Sequence, residues 1–294
     1  MLPLLGAIAF LTLGERKLMG SMQRRIGPNK VGIYGILQPM ADGLKLLMKE
    51  TVFPLLSNQF LYILAPVISF IFSILGWAVV PFNLGVTLSD MNLGILYTVG
   101  ISSLSVLGII LAGWSANSKY ALLGSLRTTA QMISYEVSLG LIIATVTLLT
   151  SSLNTTIVIQ SQLKIYNIFP LLPIGLIFFI SALAETNRAP FDLPEAESEL
   201  VSGFSTEHSS LSFAYFFLSE YGSILLISFL TLILFFGGSY KFLPLILGLF
   251  IWVRASFPRL RYDQLMSLCW TAILPLSLAF FISIASLLIA FNSH

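Results

Sequence analysis

Long apolar runs separated by short polar stretches dominate this chain. A bilayer core about 30 Å thick needs roughly 20 apolar residues per helix. Runs of that kind lie near 2–22, 60–82, 93–114, 126–150, 169–186, 213–237, 242–258 and 270–291. The pattern predicts an all-α, polytopic membrane protein of about eight transmembrane helices, forming a single integral membrane domain over 1–294. Glu15, Arg16 and Lys17 interrupt the first run. Arg254 comes only 12 positions after Phe242 in the seventh, which must be short or end deep. In the first run the charges follow the apolar stretch, whereas a signal peptide places its positive charge ahead of it, so this run reads as a retained helix.

One segment has the period of a helix but not the length of a span. After the turn-forming Gly27-Pro28-Asn29, the polar residues Gln38, Asp42, Lys45 and Lys49 recur at steps of 4, 3 and 4, while Leu37, Met40, Leu44, Leu47 and Met48 make the apolar stripe. Residues 24–52 therefore read as an interfacial loop and an amphipathic helix lying along the membrane surface. Such a helix can serve simply to pack against lipid. Asp42 argues for more, because lysines alone would meet that need.

Composition sharpens the class. Hydrophobic residues make up 56% of the chain and charged residues 10%, against about 25% charged in soluble domains. With a mean hydropathy of +0.92, no room is left for a separate soluble domain. A single cysteine, Cys269, excludes an internal disulfide and any four-thiolate zinc or iron-sulfur site built from this chain alone. The only histidines, His208 and His294, make a bis-histidine haem between helices a poor fit, and no glycine-rich nucleotide loop is present. Any redox cofactors would belong to other subunits.

Eight spans would place the loops after spans 1, 3, 5 and 7 on one face, and that face carries thirteen of the fifteen basic residues. Lys164 and Lys241 fall on the other, so the charged loops are expected in the cytoplasm or matrix. Every acid except Asp90 is on the same basic face, which points to a surface that docks on a hydrophilic partner.

A charge at the centre of a spanning helix costs at least about 2.5–3.5 kcal/mol on insertion scales. Glu136 in the fourth span and Glu220 in the sixth therefore require a reason, as do Glu15 and Glu185 at the inner ends of the first and fifth. Burial disfavours the charged form of a carboxylate, which suits a group that takes up and releases protons. The alternative is a packing hydrogen bond to Tyr135, Tyr221 or a nearby serine. From Glu185 to Glu220 the chain carries seven acids (Glu185, Asp192, Glu195, Glu197, Glu199, Glu207 and Glu220) and one base, Arg188. Residues 187–212 read as an acidic loop between spans 5 and 6, with Glu195 and Glu199 on one face of a short helix begun at Pro194. A solvated loop is the plainer reading, but Phe191, Leu193, Leu200, Val201 and Phe204 are too apolar for a loop left in water.

Two segments carry a family resemblance: GILQPMADGLKLLMKE at 35–50 and PFDLPEAESELVSG at 190–203. Together with the stretches at 14–32, 117–140 and 252–266, they resemble subunit 1 of respiratory complex I, the proton-pumping NADH:ubiquinone oxidoreductase. The resemblance implies a quinone-chamber subunit in the mitochondrial inner membrane, with termini towards the intermembrane space and charged loops towards the matrix. It implies ubiquinone as substrate, with NADH, FMN and iron-sulfur clusters held only by partner subunits. Expected partners are the hydrophilic quinone-site subunits of the peripheral arm, small neighbouring membrane subunits and the bilayer, with no nucleic acid. Positions matching the family's tunnel lining are Glu15, Arg16, Arg25, Asp42, Phe217, Arg254 and Arg259. Those matching its proton-linked path are Glu136, Glu185, Asp192, Glu195, Glu197, Glu199, Glu207 and Glu220. No metal ligand and no group that itself performs electron transfer is implied. The N-terminus and the segment between Phe236 and Phe250 are shorter than the family pattern. A membrane-bound hydrogenase anchor, a secondary transporter and a plastid homologue using plastoquinone are the competing readings.

Overall fold

In the computed structural model, residues 2–82, 86–192 and 203–292 are described, and the architecture is all-helical. The helices are α1 (Leu2–Met22), α2 (Gln38–Met48), α3 (Gln59–Leu75), α4 (Gly94–Ser115), α5 (Lys119–Thr150), α6 (Thr155–Ser161), α7 (Leu172–Glu185), α8 (Ser210–Phe235), α9 (Leu243–Ser256) and α10 (Tyr262–Phe291). Among the described residues, five helices are long and apolar enough to cross a membrane: α3 with its 3-10 continuation to Val79, α4, α5, α8 and α10. The shorter α7 is apolar over 14 residues, α9 also has 14, and α1 runs unbroken for 21 through Glu15, Arg16 and Lys17.

The helix limits depart from the apolar runs for local reasons. Helix α5 begins at Lys119 rather than at 126, because extended Ser118 caps it by accepting the Ala121 amide on its hydroxyl at 3.3 Å. Hydropathy marks where a helix enters lipid, and the cap marks where it starts. Helix α7 starts at Leu172 rather than 169, with Pro173 in its first turn, where the missing N–H costs nothing. The short α6 is an addition to the expected elements, capped by Asn154, whose side chain accepts the Thr156 amide at 2.9 Å.

Helix α8 is the most buried of the five long apolar helices and α10 the least. In lipid, apolar side chains gain little by leaving one hydrocarbon for another, so helices associate through close approach and polar contacts. Two glycines show the approach. A Cβ on Gly108 of α4 would lie 2.8 Å from Cβ of Ser69 on α3, and one on Gly113 would lie 2.4 Å from Cβ of Ser125 on α5. Helix α10 is fastened to α5 by polar contacts. The Tyr135 hydroxyl donates to the Leu265 carbonyl at 3.1 Å, and the Cys269 thiol meets the Ser134 carbonyl at 3.3 Å beside a π turn over Leu268–Ile273. Leu276, Leu278, Ile282, Leu287 and Ile289 on α10 face outward, as an apolar solvent requires.

Candidate functional site

Glu15 sits on the buried face of α1 with 5% of its surface exposed. Donors from three other segments converge on it. Arg188, just after α7, donates from Nη1 to Oε1 at 3.2 Å; Tyr221 of α8 donates its hydroxyl to Oε2 at 2.8 Å; and Arg254 of α9 also donates to Oε1. The Arg188 guanidinium stacks 4.4 Å above the Tyr221 ring and stands 3.1 Å, through Nε, from Oε1 of Glu220. Burial alone would lower the Arg188 pKa, but Glu220, Tyr221 and Glu15 together raise it, so the guanidinium stays charged. A small cleft of about 300 Å³ between α1, α8 and α9 opens on this group, lined by Leu11, Glu15, Arg188, Tyr221, Leu247 and Arg254 among others.

A second, larger cavity of about 1100 Å³ lies among α3, α4, α5 and α8. Glu185 and Glu220 line it, together with Ser102, Asn187, Phe213 and Phe217. Glu185 shares this lining with Ser102 and feels the like charge of Glu136. Glu136 accepts a hydrogen bond from Ser103 of α4. Of the two tyrosines considered as packing partners, Tyr135 bonds instead to the Leu265 carbonyl, whereas Tyr221 does bond to one of the four acids, Glu15, and the serine alternative is realised at Glu136. Phe217 packs on Phe213 with ring centroids 4.4 Å apart and faces this acidic cavity.

Arg16, next to Glu15 in sequence, points to the surface. Its Nη1 donates to Asp42 Oδ2 at 2.7 Å, and Gln38 Nε2 holds the other carboxylate oxygen at 2.9 Å, which ties α2 to α1. Gly35, before α2, has φ +74°, and a Cβ there would lie 2.2 Å from the Pro28 carbonyl oxygen, so the turn requires glycine. No residue of α2 is buried, and Leu37, Met40, Leu44, Leu47 and Met48 are exposed. Arg25 is exposed and bonded to Gln23 at 2.7 Å, apart from both clusters.

Past α7, Gln131 of α5 donates its amide to the Ala184 carbonyl at 2.8 Å and to the Phe191 carbonyl at 3.0 Å, which fixes the start of the loop. Asp192 there is buried and pairs with Arg259 Nη2 at 3.2 Å, while the Leu260 amide donates to the Pro190 carbonyl at 3.0 Å. Glu207 is exposed, and its backbone carbonyl accepts from the Tyr62 hydroxyl. Glu195, Glu197 and Glu199, with the helix expected from Pro194, lie outside the described residues.

The family model described as NADH dehydrogenase matches residues 1–285. The chain belongs to the NADH dehydrogenase family. It is 54% identical over 314 residues to NADH-ubiquinone oxidoreductase chain 1 of Mycosarcoma maydis, covering 99% of this chain and 95% of that protein. It is 56% identical over 306 residues to the protein of the same name from Metridium senile, covering 99% and 92%. A bacterial relative, an NADH-quinone oxidoreductase subunit of Paramagnetospirillum magneticum, is 52% identical over 308 residues, covering 99% and 90%. All helices that build the Glu15 group and the acidic cavity fall within the stretch matched to the NADH dehydrogenase family.

Two members of this arrangement escaped the sequence reading as site residues, Arg188 and Tyr221. Arg188 did carry a signal, being the one base among seven acids. What no local pattern could supply is its pairing with Glu15, 173 positions away. Chemically, a carboxylate held by two guanidiniums and a phenol is a polar wall with one positive charge in excess, which Glu220 beside Arg188 offsets. A carboxylate pair in an apolar cavity can instead store a proton.

Proposed function

We propose that this chain is the quinone-chamber membrane subunit of a proton-pumping NADH:ubiquinone oxidoreductase. The observation that carries the reading is the buried Glu15, Arg188, Tyr221 and Arg254 group. It faces a cleft on one side and, through Glu220, meets a cavity that also holds Glu185. The relatives' printed names supply the substrate class, NADH and a quinone.

In this reading the chain crosses the mitochondrial inner membrane eight times as one domain, with α1, α7 and α9 added to the five long apolar helices. Its termini lie towards the intermembrane space and its charged loops towards the matrix. The 24–52 segment forms the lip of the quinone entry, where Arg16, Arg25 and Asp42 meet the head group as it leaves the lipid. Glu15, Arg254, Phe217 and Arg259 line the way inward. Reduction of a quinone consumes protons as well as electrons. The electrons come from NADH through FMN and iron-sulfur clusters in partner subunits of the peripheral arm, against which the 187–212 loop docks. The proton demand is relayed through Glu220, Glu185 and Glu136, with Asp192, Glu195, Glu197, Glu199 and Glu207 extending the acidic path.

The test compares two rates in the assembled complex: NADH oxidation by short-chain ubiquinone and NADH oxidation by an artificial acceptor at the flavin. Glu220→Gln and Glu185→Gln should lower the first and spare the second. Normal quinone-linked turnover and proton pumping in both variants would remove the coupling role and leave these acids as packing groups.

A further inference from the structure

Arg188 lines the smaller cleft and reaches, through Nε at 3.1 Å, Glu220, which lines the larger cavity. Arg188 is 6% exposed and lies against charged or titratable groups from each helix around it: Glu15 on α1, Glu220 and Tyr221 on α8, and Arg254 on α9. Its grip on its two carboxylates is unequal. To Glu15 it makes an aligned hydrogen bond through Nη1 at 3.2 Å. To Glu220 it stands 3.1 Å away through Nε as an ion pair, without the alignment of a hydrogen bond. Its Nη2 is buried and has no hydrogen-bond partner among the described residues. The guanidinium thus has donors in reserve and two anions competing for them.

Arginine does not give up its proton in proteins, so it answers a change in its surroundings by moving rather than by titrating. Neutralising either carboxylate leaves the attraction of the other unopposed, and in a site this dry that imbalance is large. The flat ring of Tyr221 beneath the guanidinium provides a face on which it can rotate without losing its cation–π contact.

We infer that Arg188 is a positioning residue that transmits charge state between the two cavities, turning towards Glu15 when Glu220 is neutral and towards Glu220 when Glu15 is screened. This rests on the reading that Glu15 lies on the quinone path and Glu220 on the proton path. Tyr221 and Arg254 hold the Glu15 carboxylate still, so the movement falls on Arg188.

The experiment is a double-mutant cycle on the assembled complex, reading kcat and KM for short-chain ubiquinone. Glu220→Gln alters the acidic cavity, so a change in KM reports that the alteration has reached the quinone side. With Arg188 present, Glu220→Gln should shift KM by about fivefold; in an Arg188→Lys background, where one ammonium replaces the two-sided fork, the shift should fall below about twofold. An equal KM shift in both backgrounds would overturn the proposal. So would Glu220→Gln that lowers kcat with KM unmoved, an outcome that leaves the proton-path reading standing. Glu220→Gln with both constants unchanged would overturn the two together. Should Arg188→Lys fail to assemble, Glu15→Asp and Glu220→Gln are combined instead. Effects on KM that fall short of multiplying support the link, and effects that multiply overturn it.

Discussion

Glu15 and Arg16 are neighbours on α1, yet one is 5% exposed with three donors from three segments, and the other has a side chain 50% exposed with a single carboxylate partner on α2. Successive residues on a helix point about 100° apart, so one step along α1 carries the chain from the interior of the bundle to the exposed side that meets α2. The same chemistry, an arginine on a carboxylate, has different consequences in the two places. A buried ion that loses its partner costs about 3–5 kcal/mol, whereas an exposed pair contributes about 0–1 kcal/mol. The inner group should therefore decide whether the helices stay together, and the outer pair should tune what passes between them.

The largest effect is expected for Glu15→Gln. It leaves Arg188 and Arg254 facing an amide, a loss of about 3–5 kcal/mol, and should show as reduced assembly or a lowered melting point of the complex. Wild-type assembly would erase the contrast. Next come Glu185→Gln and Glu220→Gln, each slowing quinone-linked turnover by at least about tenfold while artificial-acceptor oxidation holds. The Asp variants, which keep the charge, should be milder.

A smaller and pH-dependent effect is expected at His208, in the loop before α8. The imidazole is buried, stacked on Tyr62 at 4.2 Å, and burial pushes its pKa from 6.5 down to about 4. The unfolded segment binds a proton below about 6.5 while the folded one does not until about 4. Stability of this loop should thus be full above 6.5 and decline as the pH falls towards 4. Hydrogen exchange over residues 203–209 at pH 7 and pH 5 would display the decline, and His208→Phe should flatten it. The smallest effect on stability belongs to Asp42→Asn, at most about 1 kcal/mol and weakened by salt. Its consequence should be a higher KM for short-chain quinone in a fully assembled enzyme. Unchanged kinetics there would confine Asp42 to tying α2 against α1.

How far the molecule could be read beforehand follows the same division. Apolar runs announced α3, α4, α8 and α10 because lipid selects composition over the whole length of a helix. The start of α5 at Lys119 was hidden, since Ser118 caps it inside a polar stretch that hydropathy scores as loop. Helix α6 spans only seven residues and leaves no period to detect. The acids were legible one by one because each is costly in a membrane. Their distribution was not: Glu220 shares an arginine with Glu15, Glu185 sits beside Glu136, and Glu207 is exposed. Pairings between residues far apart in the chain are settled by how the helices pack, which no local pattern records.

Helices α7 and α9 each have 14 residues, a rise of about 21 Å against a hydrocarbon layer of about 30 Å. Glu185 closes the first, and Arg254 lies in the last turn of the second. On the proposed eight-span reading, a film stretched over such short posts would have to thin or dip around them, since hydrophobic mismatch is met by deforming the lipid. The dip lets headgroups and water reach charged side chains that a flat membrane would isolate. Membrane thickness then becomes a working condition for this protein, with thicker bilayers resisting the depression that its shortest helices impose.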